Sequence, residues 1–106
     1  MPRNRMKITV LKRVDPSVIF DGDVPVNPSS GEPYQICNAF REGQEYVIDT
    51  DNEMPEGFCP QAWHDLFRKI GTLHWGGGYT TTQGPDYMIA CCTDGTRPVS
   101  FKLERL

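Results

Sequence analysis

The sequence lacks both a long hydrophobic run and an excess of positive charge. No apolar stretch in its 106 residues approaches the roughly 18 residues that a transmembrane helix needs. The formal net charge is −3, with 11 Lys and Arg against 14 Asp and Glu. Such a balance gives no basic surface for nucleic acid or for an anionic membrane. We therefore expect a protein that binds neither nucleic acid nor a membrane.

The closely spaced ligand pairs of common zinc sites are also missing. The chain contains four cysteines and two histidines but no Cys-x-x-Cys pair and no His-x-x-x-His pair. Its first residues, MPRNRMKITV, lack the apolar segment of a secretion signal. We therefore expect a cytoplasmic protein whose cysteines stay reduced.

What is present is the composition of one globular domain. Hydrophobic residues make up 38% of the chain and include five Phe, four Tyr and two Trp. A chain of this length can bury one modest core, which predicts a single domain over residues 1–106.

Residues 53–78, EMPEGFCPQAWHDLFRKIGTLHWGGG, carry the strongest helical pattern. Pro60 suits a first helical position, so that Cys59 falls at or beside the N-cap. Three consecutive glycines then end the pattern. The sequence predicts a helix from about residue 60 to 75 with one apolar stripe. The stripe comprises Trp63, Leu66, Phe67, Ile70, Leu73 and His74.

Alternating segments on both sides of the helix predict strands near 6–14, 45–49, 87–93 and 97–105. In the first, Val10 and Arg13 are expected on opposite faces. Residues 87–93 are apolar on both faces, which predicts a central strand covered on both sides. Asp94-Gly95 predicts a hairpin turn. The expected fold is an α+β domain: one main helix packed on a small, mostly antiparallel sheet with a C-terminal hairpin.

The cysteines suggest two kinds of site. We expect Cys37, Cys59 and Cys92 to gather at one end of the sheet, with Cys91 pointing away. As thiolates, these three residues could bind zinc or iron. The alternative without a metal is a set of buried cysteines that serve only the core.

A reactive thiol is the second kind of site, and Cys59 is its first candidate. Unpaired N–H groups and the positive end of the helix dipole favour a thiolate at a helix start. His64 is the candidate base and Asp65 the group that orients it, if the fold brings them to Cys59. The bland interpretation of His64 and Asp65 is a solvated helix flank.

The aromatic residues offer a different function, a small-molecule-binding or structural module without a metal. The candidate pocket residues are Trp63, His74, Trp75 and Tyr79. Four short strands also leave sheet edges and one face uncovered, which predicts self-association into a homo-oligomer.

Several of these motifs together resemble a family of small prokaryotic proteins that have no assigned function. The matching segments are Cys37 with Phe40 and Gly43, Pro55 to Cys59 (PEGFC), Gly76-Gly77, Cys92-Thr93-Asp94, and Pro98 to Arg105. The resemblance covers most of the chain from Cys37 onward, together with the first strand. It implies a common fold and shared positions for Cys37, Cys59 and Cys92, and it implies no mechanism.

Overall fold

The computed structural model describes residues 3–78 and 86–106, which form an antiparallel sheet with one long helix on one face. The strands are β1 (Met6–Arg13), β2 (Glu45–Ile48), β3 (Tyr87–Cys91) and β4 (Val99–Arg105). Their order in the sheet is β2-β1-β4-β3, and every neighbouring pair is antiparallel. The helices are α1 (Pro16–Ile19), which Asp15 caps, and α2 (Pro60–His74). The predicted α+β fold and its C-terminal hairpin are confirmed.

The core lies between α2 and the inner face of the sheet. From α2 it receives Ala62, Leu66, Ile70 and Leu73, each at most 1% exposed. The sheet contributes Met6, Ile8, Val10, Ile48, Met88, Val99, Phe101 and Leu103. Full burial of one such side chain stabilises the fold by about 1.5–3 kcal/mol. Placing Phe67 in the buried stripe was wrong, because the packed face is centred on Leu66 and Ile70, and Phe67 is 47% exposed.

A β-bulge in β1 changes the direction of Arg13. The pairing with β4 shifts between Val10 and Lys12, so that Arg13 lies opposite Val99, a buried residue. Directly opposed residues in an antiparallel pair share a face. The expectation that Arg13 and Val10 lie on opposite faces was therefore wrong, because the extra residue at Leu11 resets the alternation.

The last two strands form a hairpin in which β3 is an edge strand. Among the described residues β3 pairs with β4 alone, and its side chains alternate between exposed Tyr87, Ile89 and Cys91 and buried Met88 and Ala90. The expectation of a central strand covered on both faces was wrong. Its apolar residues follow strand propensity, whereas its position in the sheet depends on which strands pair with β1.

The connection between β3 and β4 is longer than a two-residue turn. Asp94 Oδ1 accepts hydrogen bonds from the main-chain N–H groups of Thr96 and Arg97, at 3.1 and 3.2 Å. This side-chain-capped turn replaces the tight turn that Asp-Gly suggests. It therefore separates the two strands by residues 92–98.

A side chain of the last strand, β4, caps the C-terminal end of α2. Arg105 Nη1 donates to the carbonyl oxygens of Leu73 and Gly77, at 3.2 and 2.6 Å. A cation at a helix C-terminus satisfies carbonyls that have no partner within the helix. Within the described ranges, no helix combines the length and apolar character that crossing a bilayer requires.

Candidate functional site: a thiol cavity at the start of the main helix

Three of the four cysteines line one small cavity of about 40 Å³ at the start of α2. We call it the thiol cavity. Its nine lining residues are Cys37, Phe40, Cys59, Gln61, Ala62, Cys92, Asp94, Arg97 and Val99. The structure thus brings together three cysteines that are far apart in the sequence, and Cys91 is not among the lining residues.

Cys59 reaches the cavity as the N-cap residue of α2. The chain turns at Gly57, whose φ of 78° is in the left-handed region that glycine tolerates. Phe58 then packs into the core against Phe40 and Tyr46, with ring centroids 5.1 and 4.9 Å apart. Within the described chain, the Cys59 side chain makes no capping hydrogen bond to the helix. Its thiol is therefore free for other chemistry at a helix N-terminus.

Cys37 enters from the loop between α1 and β2. Arg13 Nη1 donates to the Cys37 carbonyl oxygen at 2.9 Å, while Arg13 Nε contacts both carboxylate oxygens of Glu42 at 3.0 Å. The hydrogen bond to Glu42 is the main cause that raises the pKa of Arg13. The β1 bulge that redirects Arg13 therefore anchors the loop that carries Cys37.

Cys92 comes from the end of β3 and is held by β4. Its N–H donates to the carbonyl oxygen of Val99 at 3.1 Å, and the Val99 N–H approaches the Cys92 sulfur at 3.3 Å. The next residue, Thr93, is tied to α2 through the Asp65 carboxylate. The strand pair and the helix thus hold Cys92 in place.

Arg97 is the cation among the lining side chains. Its Nε donates to Asp94 Oδ2 at 3.0 Å, and its guanidinium lies 5.6 Å from the centre of the Tyr34 ring. Burial raises the pKa of Asp94, but the hydrogen bonds from Arg97 and Thr96 together outweigh it and lower that pKa below its ordinary value. The cavity therefore contains a fixed ion pair beside the cysteines.

Cys91 differs from the other three cysteines. It is exposed on β3, whereas Cys37, Cys59 and Cys92 pack against the hydrophobic core. Partial burial and the neighbouring Cys92 raise the pKa of the Cys91 thiol above its ordinary value. Cys91 is thus accessible but disfavoured as a thiolate, which makes it an internal reference for thiol reactivity.

The structure does not bring His64 to Cys59. The His64 side chain is 91% exposed, whereas that of Asp65 is only 8% exposed. Asp65 uses its other carboxylate oxygen to accept two hydrogen bonds from Thr93 and lies 4.0 Å from His64 Nδ1. In this arrangement Asp65 serves the packing of the hairpin on α2, and His64 lies on the solvated flank.

The predicted aromatic ligand residues lie at opposite ends of α2. Trp63 packs between Phe58 and Phe67 near its start, whereas His74 is buried at its end. Trp63 and His74 are eleven positions apart, which corresponds to about 16 Å along a helix. One pocket therefore does not contain both.

Trp75 lies directly after the end of α2. Trp75 is 48% exposed, and the guanidinium of Arg3 lies 5.3 Å from the centre of a Trp75 ring. Tyr79 lies outside the described residues. Buried His74 has an Nδ1 atom without a hydrogen-bond partner in the part of the chain that the structure describes. This nitrogen is a cost to the core rather than a contact in an open pocket.

Zinc or iron finds no suitable arrangement in the described structure. Among residues 3–78 and 86–106, no three His, Cys, Asp or Glu side chains are placed so that they could hold a metal ion. Cys37, Cys59 and Cys92 line one cavity without forming such a group. The described residues therefore do not fit the predicted metal.

Comparisons with known proteins give no relative on which to base a function. No protein-family model, no curated protein and no solved structure matches this chain. The resemblance to a family of small prokaryotic proteins thus stays a prediction.

Sequence reasoning did not identify the charged residues of the site. Arg13 was assigned to the outer face of β1, and Arg97 was not singled out at all. The available signal was Asp94, because an Asp that precedes Gly often caps its own turn and thereby fixes the following residues. That signal predicts a turn but not the cavity behind it.

Proposed function

We propose that the protein performs thiol chemistry, with Cys59 as the nucleophile. The observation that supports this most is the meeting of three cysteines from three separate chain segments at one cavity. Cys59 lies at a helix N-terminus, a position that favours thiol reactivity. The Arg97 guanidinium lines the same cavity, paired with Asp94, and Arg13 bonds the Cys37 carbonyl oxygen. Reduced thiols persist in the cytoplasm, where we propose that the protein acts.

Competition between the cysteines for a small alkylating agent tests this proposal. Reduced protein is treated near neutral pH with a limiting amount of iodoacetamide and digested with trypsin. Cleavage after Lys and Arg isolates Cys37 in peptide 14–41, Cys59 in 42–68, and Cys91 with Cys92 in 70–102, since Pro98 protects Arg97. Fragmentation of the last peptide then separates the two adjacent cysteines.

We expect Cys59 to be modified before Cys91, although Cys91 is the more exposed of the two. The raised pKa of Cys91 should make its modification speed up only in alkaline solution. Equal rates for Cys59 and Cys91 near neutral pH would contradict the proposal. A control in urea, where all four thiols are solvated, removes differences that arise from the neighbouring sequence.

A second candidate function uses the exposed aromatic surface of α2. A shallow depression is lined by Trp63, His64, Phe67 and Arg68, and Phe67 is 47% exposed there. Aromatic rings beside a cation suit an apolar anionic ligand, and the dye 1-anilinonaphthalene-8-sulfonate is such a probe. Binding that Phe67→Ser abolishes and Trp75→Ser preserves would favour this binding module; equal loss in both would exclude it.

We also propose self-association through the uncovered sheet. β2 and β3 are its two edges, and Val47, Tyr87 and Ile89 are exposed apolar residues on those strands. Small domains often cover such edges by pairing. Light scattering that gives the monomer mass at high protein concentration would refute this.

A further inference from the structure

We infer that Cys37 is the resolving thiol of Cys59 when hydrogen peroxide oxidises the thiol cavity. The inference rests on the proposed function. It adds which cysteine completes the reaction and which oxidant starts it. Three features of the thiol cavity support it: the support of each cysteine, the size of the space and the charge that lines it.

The two possible partners of Cys59 differ in how firmly they are held. Cys92 is bonded to Val99 through both its main chain and its sulfur, and Thr93 beside it is tied to α2. Cys37 lies in a segment, residues 34–39, that the structure assigns to neither helix nor strand, and its carbonyl oxygen is held by a side chain, that of Arg13. A disulfide needs its two Cα atoms within about 4.4–6.8 Å of each other. A loop residue can move to meet this requirement without breaking the sheet, so Cys37 is the better partner.

The cavity has room for the oxidant. Its volume is about 40 Å³, whereas one water molecule needs about 10–15 Å³ of such space. Hydrogen peroxide, with two oxygen atoms, therefore fits beside the sulfurs.

The reaction balances with hydrogen peroxide as the oxidant. The Cys59 thiolate attacks one peroxide oxygen, the O–O bond breaks, and Cys59 becomes a sulfenic acid while hydroxide leaves. The Cys37 thiolate then attacks the Cys59 sulfur, a disulfide forms, and the sulfenic hydroxyl leaves as hydroxide. Two protons, one from each original thiol, convert the two hydroxides to water. The two cysteines are oxidised by two electrons and the peroxide is reduced to two waters.

The first step moves negative charge from sulfur to the departing oxygen. The Arg97 guanidinium lines the same cavity, where the carboxylate of its partner Asp94 offsets part of its charge. Arg97 is held there by its hydrogen bond to Asp94. A cation that is already in position stabilises a developing anion without further reorganisation. Arg97 is therefore the group that we expect to favour departure of hydroxide.

Peptide mapping after peroxide treatment tests the inference directly. Reduced protein is exposed to hydrogen peroxide, blocked with N-ethylmaleimide and digested with trypsin under non-reducing conditions. A Cys37–Cys59 disulfide joins peptides 14–41 and 42–68, whereas a bond to Cys92 would join 42–68 to 70–102. We expect the first product, and the second would overturn the assignment of Cys37. This measurement needs no variant.

Two variants complete the experiment. In Cys37→Ser, Cys59 should stop at the sulfenic acid, which dimedone traps, whereas Cys91→Ser should form the disulfide as the wild type does. Absence of a dimedone adduct on Cys59 in Cys37→Ser would overturn the assignment of Cys37.

The iodoacetamide and peroxide experiments together distinguish failure of the further inference from failure of the proposed function. If iodoacetamide modifies Cys59 first but peroxide produces no Cys37–Cys59 disulfide, the further inference fails and the thiol function stands. If iodoacetamide modifies Cys59 no faster than Cys91, the proposed function itself fails.

Discussion

Asp65 accepts two hydrogen bonds from Thr93 through a single carboxylate oxygen, at 2.8 Å from the main-chain N–H and 2.9 Å from the hydroxyl. The pair joins the middle of α2 to the β3–β4 connection, one residue beyond Cys92. It therefore connects the helix that begins at the thiol cavity with the hairpin that supplies one of its cysteines.

The first prediction concerns this link. Asp65→Ala removes the acceptor of both Thr93 donors, which are exposed and can bond water instead, and should lower the free energy of unfolding by about 0.5–1.5 kcal/mol. Denaturation in urea measures the change. The matched control is His64→Ala, whose removed side chain is 91% exposed, and we expect its effect to stay within about 0.5 kcal/mol.

The same pair of variants tests whether His64 is a catalytic base. Because His64 points to solvent, His64→Ala should leave the alkylation rate of Cys59 unchanged. If His64→Ala markedly slowed the alkylation of Cys59 without changing the free energy of unfolding, His64 would act on Cys59. That result would contradict the solvent-exposed position of His64.

Arg13 is predicted to control the accessibility of Cys37. Arg13→Met removes the donor to the Cys37 carbonyl and the contacts with Glu42. The loop around Cys37 should then open more often, so that iodoacetamide modifies Cys37 faster than in the wild type. Mass spectrometry of peptide 14–41 is the readout, although the new cleavage pattern begins that peptide at residue 13.

Lys12→Met is the control for this change. Lys12 is the exposed neighbour of Arg13 and lies opposite Ser100 on the outer face of the sheet. Lys12→Met removes the same charge from the same strand without changing a contact to the loop that carries Cys37. If both variants accelerate the alkylation of Cys37 equally, the effect comes from charge, and the anchoring role of Arg13 is refuted.

His74 should be replaceable by an apolar residue of similar size. His74→Leu removes a buried ring nitrogen that lacks a partner among the described residues. The change should raise the free energy of unfolding by about 1 kcal/mol, because an unsatisfied buried polar atom costs about 1–3 kcal/mol. Urea denaturation beside His64→Leu, an exposed position, provides the comparison. A clear loss of stability in His74→Leu would indicate that the imidazole has a role that the described contacts do not reveal.

Asp94 is predicted to make the fold sensitive to acid. Its pKa is lower in the folded protein than the ordinary value, so its charge stabilises the fold at pH values above that ordinary value. This contribution is lost as the pH falls through the folded pKa. Asp94→Asn keeps an oxygen that can accept from Thr96 and Arg97 but removes the charge.

Unfolding at a series of pH values measures the effect of Asp94. The variant should be less stable than the wild type around neutral pH, and this difference should shrink as the solution is acidified below the ordinary carboxyl pKa. A difference that stays constant throughout the acid range would show that the charge of Asp94 does not contribute.

Local features of the sequence were sufficient for the elements of the fold. Pro60 and the spacing of Leu66, Ile70 and Leu73 predict α2, and the structure confirms its bounds as Pro60–His74. Strand alternation likewise predicts β1, β2 and β4. These features depend on residues a few positions apart, where proline geometry and side-chain periodicity act without reference to the rest of the chain. Cys59 at the helix start belongs to this category.

The tertiary structure alone decided where β3 and Arg13 lie. Edge or central placement of β3 depends on which strands pair with β1, and its apolar residues carry no information about that choice. The bulge at Leu11 turns Arg13 toward Cys37, because one additional residue reverses every later side chain in a strand. Sequence periodicity assumes an uninterrupted alternation and therefore cannot locate such a reversal. The charged surroundings of Cys37, Cys59 and Cys92 exist only once the strands have paired.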